Sequence, residues 1–296
     1  MAATAQSKRI EPERVRNYRG RGFQERALRV LLYTAILIGA IIFATPFYWM
    51  IRTAVMPKFE VYQFPPLWIP SEIVWSNFQN PFKVFHFERW FLNTIIIATI
   101  SMVGTTLSAA VTGFSFARLR FPLRDFLFVV VLATMILPEH IRLIPNYLLY
   151  TRLGWVDTFL PLIVPNWFAP AFFVFFLRQF FLTIPRDYDD AAYIDGCNPL
   201  SLFWRIHLPL SLPALGVVNI FQLTFIWNDF INPLIYLHKE PQFTVALGLR
   251  LFQGRMSNNM QDLMAASLMA VLPTLLVFFL AQRYFVQGIV VSGVKG

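Results

Sequence analysis

Residues 30–50 run for roughly 20 positions without a charged side chain, the length a helix needs to cross the hydrocarbon core of a bilayer. Comparable apolar runs recur at 90–114, 126–137, 159–181, 212–237 and 263–285. In lipid an unpaired backbone amide or carbonyl is costly, so a chain that crosses repeatedly does so as helices that close their own hydrogen bonds. The sequence therefore predicts an all-α polytopic membrane protein with about six transmembrane helices. Composition agrees: 57% of the residues are hydrophobic and 14% charged, too few polar side chains to coat a soluble domain.

Charge placement orients the chain. Residues 1–29 form a basic tail, with Lys8, Arg9, Arg14, Arg16, Arg19, Arg21, Arg26 and Arg29 set against Glu11, Glu13 and Glu25. A cleavable signal peptide is the competing reading, but the run that follows is long enough to span, so it is expected to be retained. Arg118, Arg120 and Arg124 make a second basic stretch after the second span. Positive charge marks the cytoplasmic side, so the net charge of +9 reports orientation before it reports a nucleic-acid partner, and none is expected. Six spans then put both termini in the cytoplasm: tail 1–29, transmembrane domain 30–286, tail 287–296. The connection 52–89, with five prolines and the interfacial Trp68 and Trp75, falls outside, as does the loop 238–262.

The second span carries Ser101, Thr105, Ala109 and Gly113 at intervals of four, a stripe that lets helices approach closely in lipid. Pro161, Pro165 and Pro170 interrupt the fourth span, and the carbonyls they free must be satisfied by protein or by a watery cavity. Asn166 and Trp167 lie in that interrupted stretch. In the fifth span Gln222, Phe225, Asp229 and Asn232 follow one helical face, with Asn228 beside it. An ionised acid at a span centre costs about 2.5–3.5 kcal/mol, so Asp229 faces either a cavity or a partner. Amides, an acid and an aromatic ring suit a hydroxylated solute. These seven residues are the candidate solute pathway; the competing reading has Asn228 and Asp229 holding helices together near the outer interface.

Chemistry within the chain is not indicated. There is no GxxxxGK[ST] phosphate loop, no GxSxG elbow and no HExxH pair. Cys197 is the sole cysteine, which excludes an internal disulfide and any multi-cysteine metal site. His86, His140, His207 and His238 show no metal-ligand spacing and are read as loop and interface residues. No catalytic residue, metal or cofactor is expected in this chain. Uphill transport would draw on an ion gradient, with Asp229 as the coupling carboxylate of a secondary transporter, or on another subunit.

Between the fourth and fifth spans lies the main polar passage, residues 184–213. Pro185 and the acids Asp187, Asp189 and Asp190 suit a helix start, where negative charge meets the positive end of the helix dipole. Gly196 supplies a left-handed stop, and Asn198 followed by Pro199 caps a second short helix. A helix, a glycine hinge and a helix on the cytoplasmic face make a docking surface.

Within that passage Asp190-Ala191-Ala192, Gly196 and the ending Ile206, Leu208, Pro209 resemble the EAA loop of permease subunits in bacterial ATP-binding-cassette importers. Asp190 stands where Glu is usual, and Cys197 where a small residue is usual. Residues 244–254 and 281–296 resemble the maltose-type carbohydrate branch, in its six-helix second permease. The resemblance implies a complex with a homologous second permease, a cytoplasmic ATPase dimer that binds ATP and Mg, and an extracytoplasmic solute-binding protein. It places the complex in the bacterial cytoplasmic membrane and gives it a sugar or sugar-like solute. It further implies ATPase coupling through Asp190, Ala191, Ala192, Asp195, Gly196 and Pro209, and binding-protein contact through Thr244, Leu247 and Gly248.

Overall fold

The structure, a computed structural model, describes residues 18–255 and 259–292. These residues are helical with no β-strand among them, and the chain divides after Met50 into two compact units. The basic tail expected over residues 1–29 lies outside the described residues as far as residue 17, as do residues 293–296 of the C-terminal tail. From Tyr18 onward the polar tail is already helical and continues unbroken into the first apolar run as α1 (Tyr18–Val55).

The second unit contains α2 (Phe87–Arg118), α3 (Arg124–Ala133), α4 (Glu139–Arg152), α5 (Ala171–Thr183), α6 (Asp187–Ile194), α7 (Leu212–Trp227), α8 (Ile231–Tyr236) and α9 (Met260–Ser292), with shorter turns between them. Among the described residues four stretches are long and apolar enough to cross a membrane: Arg26–Val55, Phe87–Arg118, Leu160–Thr183 and Met260–Leu280. A fifth forms if Pro199–Leu210 and Leu212–Trp227, which meet at 75°, are taken together.

The span expected at 126–137 is not one crossing helix. Its helical part, α3, has 10 residues, about 15 Å at the helical rise and half the hydrocarbon core. Pro138 disfavours helical backbone in the residue before it, and the chain restarts as α4 with Pro138 at its N-cap. The fifth span also differs from expectation. Its helix stops at Trp227, turns through 228–230 and begins again as α8, so Gln222 and Asn232 do not share one unbroken helical face.

The core forms where α2 packs on α5. Ser101, Thr105 and Ala109 are fully buried and Gly113 is buried with them, so the small-residue stripe is a packing face. A Cβ on Gly113 would lie 3.1 Å from the backbone nitrogen of Arg178 and 3.2 Å from the Val174 carbonyl, which shows how closely the two helices approach. The hydroxyls on the stripe are satisfied locally: Thr105 donates to the Asn166 carbonyl at 3.0 Å. A cluster of Phe114, Phe173, Leu177, Phe181, Leu202 and Phe203 extends this core to the base of the polar passage. At the other end Trp90, Phe85, Val245, Phe252 and Ala266 join α2 to the 240–255 loop and α9.

Candidate functional site

The polar passage folds as two helical pieces about Gly196. Asp187, Asp189 and Asp190 occupy the first turn of α6, while Pro185 stands before the helix and Arg186 is its N-cap. Gly196 has φ +80°, a conformation that costs a residue with a side chain about 1 kcal/mol. Asn198 accepts the Ser201 amide at 2.8 Å and Pro199 opens the next turn, as its spacing predicts. Asp190, Ala191, Asp195, Gly196 and Pro209 are exposed; Ala192 is buried against the core. Around the exposed set stand Tyr188, Tyr193, Ile194, Leu200 and Trp204, all exposed apolar side chains, with Ile194 at 86%. A mixed acidic and aromatic surface of this kind fits a protein partner.

Below it is a group of residues that sequence reasoning missed. Arg118, the last residue of α2, donates from Nη1 to Asp189 Oδ2 at 3.1 Å and from Nη2 to the carbonyls of Phe181 and Ile184. His207 Nε2 lies 2.6 Å from Asp189 Oδ1. The His207 ring is fully buried, 5.0 Å from the Phe114 ring and 5.8 Å from that of Phe181. His207 is therefore an interior residue, contrary to its reading as a loop histidine. One signal was available: Asp189 is three residues before Ala192, so it shares the buried face of α6, whereas Asp187 and Asp190 do not.

The second feature is a cavity of about 1160 Å³ between α4, the broken stretch 161–173 and α7–α8. Asn166, Gln222, Phe225, Asn228, Asp229 and Asn232 line it, so the break in the fifth span does not scatter the candidate pathway. Trp167 lies elsewhere, its indole over Gly104, where an added Cβ would collide with it. His140, Arg142 and Asn146 of α4 also line the cavity, and nothing in their spacing singled them out.

The polar groups are held in place. Gln222 Nε2 donates to Asn166 Oδ1 at 2.8 Å, and Asn166 Nδ2 donates to the Leu162 carbonyl at 2.8 Å, tying α7 to the proline-rich break. Asp229 accepts the backbone amide of Asn232 at 3.1 Å and its side-chain amide at 3.0 Å. The carboxylate thus satisfies the start of α8, which is why the helix can break inside an apolar run.

The outer loop is stapled to the top of α2. Trp90 Nε1 donates to the Glu240 carbonyl at 3.0 Å, Asn93 Nδ2 to those of Pro241 and Phe243 at 2.9 and 3.0 Å, and the Val245 amide donates to Thr94 Oγ1 at 2.9 Å. Thr244, Leu247 and Gly248 are buried here, with Gly248 against the Trp90 ring. These three shape the loop from within, because their side chains and backbone fill the space under it. His238, Lys239, Pro241 and Arg250 are among its exposed residues. Asp157, in the loop after α4, accepts the His238 amide at 2.8 Å, and that bond holds its carboxyl below the usual range.

Comparison with known proteins places this geometry. Residues 109–291 match the family described as binding-protein-dependent transport system inner membrane component. The arabinooligosaccharides transport system permease protein AraQ of Bacillus subtilis is 36% identical over 70% of this chain and 74% of its own. The sn-glycerol-3-phosphate transport system permease protein UgpE of Pectobacterium atrosepticum is 30% identical over 90% of this chain and 98% of its own. Among solved structures, a bacterial ABC transporter involved in import of the acidic polysaccharide alginate shares the fold, with a TM-score of 0.78 at 20% identity over 88% of this chain and 98% of that one.

Proposed function

Since this chain belongs to the family of binding-protein-dependent transport system inner membrane components, we infer that it is a permease subunit of an ATP-driven importer for a sugar or sugar-like solute. It is not itself an enzyme: hydrolysis belongs to a separate ATPase dimer holding ATP and Mg. A homologous second permease covers the open side of the cavity, and an extracytoplasmic binding protein delivers the solute. Both termini and the segment 187–210 face the cytoplasm, and the loop 238–255 faces outward.

The observation that carries this reading is a continuity of chain. The exposed helix–glycine–helix segment runs directly into α7, whose Gln222 and Phe225 line the cavity. A partner that moves the segment therefore moves one wall of the solute site. The wall chemistry fits the cargo: amides for hydroxyls and an aromatic face for the apolar side of a sugar ring. Asn166 and Gln222, held at 2.8 Å, present an ordered pair of amides. The relatives named above for arabinooligosaccharides and sn-glycerol 3-phosphate point to the same class. The ion-coupled alternative through Asp229 is dropped, because the family is binding-protein-dependent and the carboxylate serves the α8 terminus.

The test is co-expression with the cognate second permease, ATPase and binding protein, followed by reconstitution in vesicles. Labelled arabino-oligosaccharide and glycerol 3-phosphate are the first solutes. Uptake that needs ATP and binding protein supports the reading; uptake that follows a proton or sodium gradient and ignores ATP overturns it.

A further inference from the structure

Four separate pieces of chain end at one buried point. Arg118 closes α2, Phe181 and Ile184 close α5, Asp189 belongs to α6, and His207 closes a π-helical turn over Phe203–His207 that leads into α7. The Arg118 side chain is 4% exposed, that of Asp189 12% and that of His207 0%. Phe114, Phe181 and Phe203 wall the group off from water. Single-turn π segments are rare and tend to occur at functional positions, and this one ends on His207, beside Asp189.

We propose that Arg118, Asp189 and His207 are positioning residues that lock the docking segment, α2, α5 and the root of α7 into one rigid joint, so that displacement of α6 by a partner turns the cavity wall instead of bending the segment. The proposal deepens the importer reading and rests on it. The physical case concerns direction. Apolar packing between Ala192 and its surroundings resists separation but tolerates sliding, whereas a guanidinium that bonds one carboxylate and two helix-end carbonyls fixes angle as well as distance. In a water-excluded site those bonds are stronger than on a surface. Asp189 spends one oxygen on Arg118 and the other on His207, so its side chain bridges the helix before Gly196 to the turn after it. Without that bridge the two halves of the segment are left with the Gly196 hinge, the hydrogen bond from the Cys197 amide to the Ala192 carbonyl at 2.9 Å and apolar packing around Ala192.

The joint is distinct from the docking surface. Asp190, Tyr193, Ile194 and Leu200 stay exposed whatever Asp189 does. Variants of the joint should therefore keep the ATPase bound and lose transmission.

The experiment uses the full reconstituted complex and reads three quantities together: ATPase retained on purification, ATP hydrolysis, and solute taken up per ATP hydrolysed. Asp189→Asn, Arg118→Lys and His207→Gln form the series. Arg118→Lys keeps the charge but cannot reach Asp189 and both carbonyls at once, and His207→Gln keeps a hydrogen-bonding side chain without the ring. If the proposal holds, ATPase retention stays at the wild-type ratio, while uptake per ATP falls about tenfold in Arg118→Lys, the scale of losing one charged hydrogen bond from a buried network. His207→Gln falls less and Asp189→Asn at least as much. Should Asp189→Asn fail to accumulate, the other two variants decide. Uptake per ATP equal to wild type in both of them overturns the joint, as does a parallel fall of hydrolysis and uptake with the amount of folded complex. Failure of the importer reading is separate, since the wild-type complex itself would then show no ATP-dependent uptake.

Discussion

Replacing Gly248 by alanine tests the packing that fixes the outer loop. A Cβ there falls closer than 3.0 Å to three atoms of the six-membered ring of Trp90, so one of the two must move. The indole has nowhere to go. It is fully buried, its Nε1 donates to the Glu240 carbonyl at 3.0 Å, and the rings of Phe85 and Phe87 stand 5.4 and 5.8 Å away. Overpacking of this kind costs about 1–3 kcal/mol, and losing the indole hydrogen bond adds about 1 kcal/mol. The expected destabilisation is therefore about 2–4 kcal/mol, seen as a fall of several degrees in the melting temperature of detergent-purified protein. Trp90→Phe removes Cε3 and Cζ3, two of the three ring atoms that collide, and, by itself, leaves a void and an unpaired carbonyl. The double variant Gly248→Ala/Trp90→Phe should be more stable than the sum of the singles by at least about 1 kcal/mol, the coupling expected for residues in contact. Additivity within about 0.5 kcal/mol would refute the contact and with it the account of why the loop is rigid. In transport, Gly248→Ala should lower uptake driven by binding protein while leaving ATPase retention intact.

Other outcomes follow from the same geometry. Gly196→Ala meets no neighbouring atom, so its cost is the left-handed backbone alone, about 1 kcal/mol; hydrolysis and uptake assays should show weakened coupling with the ATPase still bound. Asp229→Asn keeps an oxygen for the Asn232 amide and should retain uptake, whereas Asp229→Ala loses a terminus contact worth about 1 kcal/mol and should melt earlier. Gln222→Leu removes the bridge to Asn166 and should raise the KM for solute more than it lowers the ATPase rate. The Asp157 carboxyl is held low by the His238 amide, so its contribution to stability is full above the ordinary carboxylate pKa of about 3.9 and is lost as pH falls through the lower folded value. Thermal melts between neutral and strongly acidic pH should show that loss in the wild type, and Asp157→Asn should remove its share.

Local features were legible because their causes are local. The left-handed Gly196, the Asn198 cap and the small-residue stripe of α2 each depend on a few neighbouring residues, and each stands where its pattern put it. The break at 228–230 was hidden because apolar residues resume at Phe230 and Ile231, so Asn228 and Asp229 read as polar positions within one span. Only the bond from the Asp229 carboxylate to the Asn232 amide, made across the break, shows how the free helix end is satisfied. Thr244, Leu247 and Gly248 were expected at a surface because they sit in a loop of a familiar pattern. Their burial depends on Trp90, Asn93 and Thr94, about 150 positions earlier. Arg118 carries the charge that orients the chain, and the same charge is turned inward onto Asp189. A count of basic residues cannot distinguish those two uses, whereas the helical phase of Asp189 with Ala192 begins to.

In this complex the segment 187–210 is proposed to turn ATP-driven motion of a partner into motion of a cavity wall. The most direct measurement of that is solute uptake per ATP hydrolysed in vesicles holding the complete complex, wild type beside Arg118→Lys and His207→Gln. Uptake by the wild type should depend on ATP and binding protein, with a ratio about tenfold lower in Arg118→Lys at equal ATPase content. Wild-type ratios in both Arg118→Lys and His207→Gln would overturn transmission through the joint.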